Sequence, residues 1–199
     1  MTERYTPDKE EINALPAFDR LDLPQITLVD TPEMARAAMA ALQDHPALGF
    51  DTESKPTFTK NETSDGPHIV QLSTVQHAWI FQLQDAECRR VVAALLESPR
   101  IIKAGFGLGD DKKRVHAKLG IDFQAVLDLN ATFRALGYRK DMGVRGAVAV
   151  LFNQRFIKSK KASTSNWANT QLTDAQLIYA ANDAYAAQRV WAKLQATGS

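Results

Sequence analysis

Residues 47–83 read ALGFDTESKPTFTKNETSDGPHIVQLSTVQHAWIFQL. The first five are an apolar run that ends abruptly in acid, the pattern of a buried strand whose C-terminus opens onto a cleft. Residues 68–74 (HIVQLST) alternate as a strand does, and 78–83 (AWIFQL) pair with them as a hairpin through Val75, Gln76 and His77. Upstream, 26–29 reads as a short strand. Thr31-Pro32-Glu33 then opens a helix to about residue 43, with Thr as N-cap and Pro at the first helical position. Downstream, 85–97 is an amphipathic helix and 100–104 a strand, and Asp110 or Asp111 starts a helix to about 118. A short strand at 126–129 runs into a helix that ends near Gly137, and 144–152 is helical. Residues 153–170 form a basic, Ser/Asn-rich connection. Thr173-Asp174-Ala175-Gln176 is a capping box for a last helix to about 195. A meander followed by alternating strands and helices specifies an α/β fold, a mixed β-sheet flanked by α-helices.

At 199 residues the chain fits one domain with a full-sized core. Its 45% hydrophobic and 24% charged content is that of a soluble globular protein. Residues 1–24 are polar, and Thr6-Pro7 caps a short helix over 8–15. They read as an N-terminal extension that packs on the domain or is partly disordered, leaving 25–199 as the domain proper. A net charge of +1 does not advertise a polyanion partner, although local charge can still bind one. The single cysteine, Cys88, excludes an intrachain disulfide and reads as a half-buried structural thiol. The first residues contain no apolar signal segment, and no apolar run reaches bilayer length. A cytoplasmic location and no membrane partner are therefore expected.

Four acids and a tyrosine stand out. Asp51 and Glu53 are two apart, so a regular strand points both to one face. Carboxylate oxygens are natural ligands of Mg²⁺ or Mn²⁺; taken alone, Asp-x-Glu also describes a solvated turn after a strand. Asp111 follows Gly105, Gly107 and Gly109, which let the chain turn tightly from strand into helix. Asp110 is the better N-cap, which places Asp111 in the first turn. The spacing of these glycines does not match the dinucleotide-binding fingerprint. Tyr179 and Asp183, four apart, share a face of the last helix. The apolar stripe there is Leu177, Ala180, Ala184, Ala187, Trp191 and Leu194. Asp183 lies roughly 60° and Tyr179 roughly 100° from its centre, on a border that can edge a cleft. The histidines show no zinc-ligand spacing.

Three stretches then resemble one family in combination, order and spacing: GFDTE with VQLST after it, IIKAGFGLGDDKKRV, and SNWANTQLTDAQLIYAANDAYAAQRVW. Over roughly residues 26–195 the chain is similar to the DEDD superfamily of 3′–5′ exonucleases, in the subgroup with tyrosine in its third motif. It resembles the exonuclease domain of the Werner helicase and the nuclease domain of ribonuclease D. That resemblance implies a ribonuclease-H-like fold and catalytic residues Asp51, Glu53, Asp111, Tyr179 and Asp183. It implies two metal ions, Mg²⁺ or Mn²⁺. One is shared by Asp51, Glu53 and Asp183; the other is held by Asp51, with Asp111 acting largely through water. Tyr179 orients the attacking water. The implied reaction removes nucleoside 5′-monophosphates from 3′ ends of single-stranded DNA or RNA. Two cations about 3.5–4 Å apart suit such an in-line displacement at phosphorus, and four clustered carboxylates need cations to offset their repulsion. Alternatives are a ribonuclease D-like RNA-processing exonuclease, whose relatives usually carry extra helical domains, and a catalytically silent nucleic-acid-binding module on the same fold.

Candidate substrate contacts are Thr52, Lys55, Phe106, Leu108, Lys160, Lys161 and Trp167. Lys55, Phe58 and Lys60 lie in the loop after the first acids, where the chain departs from the family pattern. Phe106 and Leu108 either wedge a terminal base or fill the core. Lys158, Lys160 and Lys161 are expected to meet phosphates, while Trp167 is expected to pack in the core. Of Lys112, Lys113 and Arg114, most are surface residues.

Overall fold

The computed structural model describes residues 4–57 and 65–197. In chain order the elements are α1 (Lys9–Ala14), a 3₁₀ turn (Leu23–Gln25), β1 (Ile26–Val29), α2 (Pro32–Leu42) and β2 (Ala47–Glu53). Then come β3 (Ile69–Ser73), β4 (Ala78–Gln82), α3 (Ala86–Glu97), β5 (Ile102–Gly105) and α4 (Gly109–Leu119). The last are β6 (Val126–Asp128), α5 (Leu129–Ala135), α6 (Gly143–Phe152), α7 (Lys160–Ser163) and α8 (Asp174–Thr197). The six strands form one mixed sheet in the order β1-β4-β3-β2-β5-β6. The β2–β3–β4 meander is antiparallel, while β1, β5 and β6 join it in parallel pairings. This is the mixed sheet flanked by helices that the sequence specifies.

Alternation along the strands sorts the core into two layers. Leu48, Phe50, Val70, Leu72 and Phe81 pack with residues of α2, α3 and α4 on one face. Ile69, Ile80 and Ala104 pack with α5, α6 and α8 on the other. Gly49 belongs to the second face, where a Cβ on it would lie 1.9 Å from the Ala184 carbonyl oxygen. Glycine at this position lets α8 press against the sheet. Gln188 Nε2 adds a hydrogen bond to the Ala47 carbonyl at 3.1 Å, pinning the same crossing.

The N-terminal segment is built into the domain. Phe18 and Leu21 are buried, and Asn182 on α8 holds Leu21 through both its amide, at 2.8 Å, and its carbonyl, at 3.0 Å. The helix in this segment is capped by Asp8, in a capping box with Glu11, rather than by Thr6-Pro7, because the Asp8 carboxylate reaches two free amides. Cys88 is fully buried rather than half-buried, and burial pushes its thiol up to about 12. The connection 153–170 contains the short helix α7, which Ser159 caps.

Candidate active site

The acids of β2 lie within the strand, which runs on to Glu53, and not beyond its end. Alternation puts Gly49, Asp51 and Glu53 on one face, and Gly49 marks that face as the one under α8. Asp183 precedes Ala184, the residue in closest approach, so α8 delivers its carboxylate beside the other two. Asp51, Glu53 and Asp183 each place a carboxylate oxygen within 4.8 Å of the others. Asp111 comes from the opposite layer, on the first turn of α4, and accepts a 2.5 Å hydrogen bond from the Thr52 hydroxyl. All four acids line one cleft of about 520 Å³, together with Thr52, Phe106, Arg145 and Lys158.

Burial and mutual repulsion dominate the electrostatics. Burial, then the charges of Asp183 and Asp111, push Asp51 up to about 8. Burial, then Asp51 and Asp183, push Glu53 up to about 9. Asp183 is raised by burial, against the pull of Lys158 and Tyr179, and Asp111 by burial, against its Thr52 hydrogen bond. Lys158 Nζ stands 2.9 Å from Asp183 Oδ2 and 5.4 Å from the centre of the Tyr179 ring. Burial alone would lower the Lys158 ammonium, but Asp183 and Tyr179 outweigh it and hold the pKa above its usual value. Tyr179 is raised by burial and by Asp183, so its hydroxyl keeps its proton at neutral pH.

This donor set fits a divalent cation. It consists of hard carboxylate oxygens. Asp183 Oδ1 is buried and has no hydrogen-bond partner. Lys158 and Arg145, the two cations that line the cleft, cannot balance four acids. Among the described residues, these three acids are the one group of His, Cys, Asp or Glu close enough to hold a metal ion.

The other residues singled out by sequence fall in several places. Thr52 and Phe106 line the cleft. Leu108 is buried in the layer under α2 and α3, so it fills the core and does not face a substrate. Trp167 is fully buried, with its ring 5.9 Å from that of Tyr179, and supports the tyrosine from behind. Lys160 and Lys161 are exposed on α7, and Lys55 is exposed after β2. Phe58 and Lys60 lie outside the described residues. Lys112, Lys113 and Arg114 are exposed. Neither Asp110 nor Asp111 caps α4. The N-cap is Leu108, and the free amides of Gly107 and Leu108 are met by the Asp128 carboxylate at the end of β6. Tyr179 and Asp183 are buried, not at the border of a half-exposed helix, because α8 also packs beneath α6 and α7. Arg145 on α6 carried no sequence signal, since it stands alone in an apolar helix. The pairing of Lys158 with Asp183 was hidden in a basic run whose lysines look alike.

The model of the 3′-5′ exonuclease family matches residues 26–198. Among curated proteins, the mouse bifunctional 3′-5′ exonuclease/ATP-dependent helicase WRN is 26% identical over 155 residues, covering 77% of this chain and 11% of the relative. A 3′-5′ exonuclease of Arabidopsis thaliana is 24% identical over 150 residues, covering 74% and 52%. The chain thus spans about half or less of these relatives. Among solved structures, the Aedes aegypti Nibbler EXO domain superposes with a TM-score of 0.74 at 20% identity, covering 89% of this chain and 90% of that one. Trypanosoma brucei RNase D superposes with a TM-score of 0.76 at 21% identity, covering 85% and 64%. These structures share the fold. The chain belongs to the 3′-5′ exonuclease family, and its acidic cluster together with that membership implies use of a divalent metal.

Proposed function

We propose that this member of the 3′-5′ exonuclease family shortens single-stranded DNA or RNA from the 3′ end, releasing nucleoside 5′-monophosphates. Two Mg²⁺ or Mn²⁺ ions would be held by Asp51, Glu53 and Asp183, with Asp111 contributing through water. The observation that carries the reading is the convergence of Asp51, Glu53 and Asp183 within 4.8 Å, Asp183 buried and the other two half-buried. Bound there, divalent cations lower the pKa of a coordinated water and offset charge on the phosphate and the departing oxygen.

The chain's own residues supply the rest. Water attacks the terminal phosphorus, the bond from phosphorus to the 3′ oxygen breaks, and the shortened strand keeps a 3′-hydroxyl. The Tyr179 hydroxyl, kept protonated by its surroundings, positions the attacking water. Asp111, tied to Thr52, holds a water on the far side of the cleft. Phe106 borders the cleft beside Asp111 and offers an apolar surface to the terminal base. Lys158 and Arg145 supply positive charge to the scissile phosphate.

The test is a time course on 5′-labelled DNA and RNA oligonucleotides with Mg²⁺, Mn²⁺ or chelator, with Asp183→Ala as control. A ladder shortening from the 3′ end, lost with chelator and in the variant, is expected. Intact oligonucleotides under every metal would overturn the reading, and the two substrates side by side report the sugar preference.

A further inference from the structure

Beside the catalytic cleft lies a second cavity of about 430 Å³ that shares Arg145 and Lys158 with it. Its other charged residues are Lys9 and Arg155, so its lining holds four cations and no carboxylate. For a chain with a net charge of +1, that is a local concentration of positive charge. Some exposed cations elsewhere stand in ion pairs, Arg36 with Glu33, Arg90 with Glu87, Lys113 with Asp110 and Arg134 with Asp141. Among the described residues, Lys9, Arg145 and Arg155 have no such acid partner. Arg155 Nε is also buried without any hydrogen-bond partner.

One wall of the cavity is α1, which precedes the family match at residue 26. Lys9, Ile12 and Asn13 share a helix face toward the cavity, while Glu10 and Glu11 of the same helix do not line it. This wall is fixed in place. Arg155 Nη1 donates to the Asn13 carbonyl at 2.6 Å, Arg155 N to Pro16 O at 2.7 Å, and Phe18 N to Arg155 O at 3.0 Å. Ile157, 61% exposed, forms an apolar lip. The cavity on the other side of Lys158 is larger and also reaches Tyr179 and Asp183, but Asp19, Asp22 and Asp183 offset Arg20 and Lys158 in its lining, so it has no excess of positive charge for a phosphate backbone.

We propose that the groove between α1 and residues 155–158 is the binding track for the single-stranded nucleic acid just upstream of the scissile phosphate. Backbone phosphates lie over Arg145, Arg155 and Lys9, and a base or sugar rests on Ile157. The N-terminal segment is then part of the substrate-binding surface. This inference rests on the exonuclease reading for which end of the strand enters the cleft.

The experiment is fluorescence anisotropy with 5′-labelled (dT)4, (dT)10 and (U)10 in chelator, across a salt series. The proteins are wild type, Lys9→Glu, Arg155→Gln and Lys193→Glu. Lys193 is exposed near the far end of α8, and its variant makes the same change in net charge as Lys9→Glu. Wild type should bind the ten-mers more tightly than the four-mer. Lys9→Glu should flatten that gain, weaken ten-mer binding about five-fold or more, and reduce the salt slope by about 0.7. Lys193→Glu should stay within about two-fold of wild type, since a lone surface charge is largely screened at that distance. Equal effects of Lys9→Glu and Lys193→Glu, or no ten-mer binding by wild type, would overturn the proposal. Thermal melts check that Arg155→Gln is folded; Lys9 is exposed and ties nothing down. Binding is read without cleavage, so absence of hydrolysis would sink the catalytic reading while leaving the groove to stand or fall by anisotropy.

Discussion

Glu53→Gln should make the metal-free protein more stable. Glu53 titrates at about 9 in the fold against 4.5 ordinarily, because burial and the neighbouring Asp51 and Asp183 penalise its charge. The native state therefore binds more protons than the unfolded chain between about pH 4.5 and 9, and stability falls as pH rises through that window. The destabilisation is absent below about pH 4.5 and complete above about pH 9. At 1.36 kcal/mol per pH unit the ceiling is ~6 kcal/mol. Relaxation and water entry into the cleft bring the expected effect to ~2–3 kcal/mol. Glutamine keeps the shape without the charge, so in chelator at pH 8–9 the variant should melt about 5–10 °C above wild type. The gap should close toward pH 4.5. With saturating Mn²⁺ the order should invert, because wild type gains binding free energy that the variant, one ligand short, cannot match. Melts followed by circular dichroism at several pH values, with chelator and with Mn²⁺, give the full comparison. A variant no more stable than wild type in chelator, or a gap that ignores pH, would refute the reasoning.

Three further outcomes follow from the geometry. Gly49→Ala drives a methyl into the Ala184 carbonyl, so it should cost ~1–3 kcal/mol in a melt and, by displacing Asp183, lower turnover about 10²-fold. Lys158→Met leaves buried Asp183 without its 2.9 Å counter-charge. It should lose ~2 kcal/mol in chelator, much less in Mn²⁺, and bind Mn²⁺ more tightly by calorimetry; equal losses in both conditions would show that the pair persists with metal bound. Tyr179→Phe keeps the ring packed on Trp167 but removes the hydroxyl. Steady-state kinetics should show kcat down about 10²-fold with Mn²⁺ affinity unchanged, and an unaltered kcat would remove the tyrosine from the mechanism.

Much of the site could be read from sequence because strand alternation and helix periodicity are local. Asp51 and Glu53 had to share a face of β2, and Tyr179 and Asp183 a face of α8, whatever surrounded them. What surrounded them was not local. An apolar stripe marks one side of a helix, but α8 is covered by the sheet on one side and by α6, α7 and Leu21 on others, which buries both residues. The carboxylate that meets the amides of Gly107 and Leu108 ahead of α4 comes from Asp128, a strand away, so the acids next to the turn gave no sign of it. Which lysine of the basic connection reaches Asp183 depends on the path of the chain between α6 and α7, and only Lys158 arrives.

The most direct test of the central claim is anomalous diffraction from crystals soaked in Mn²⁺. A peak about 2.0–2.2 Å from carboxylate oxygens of Asp51, Glu53 and Asp183, with Lys158 withdrawn from Asp183, is the predicted result. Manganese bound elsewhere while these three acids stay empty and Lys158 keeps its pairing would contradict it.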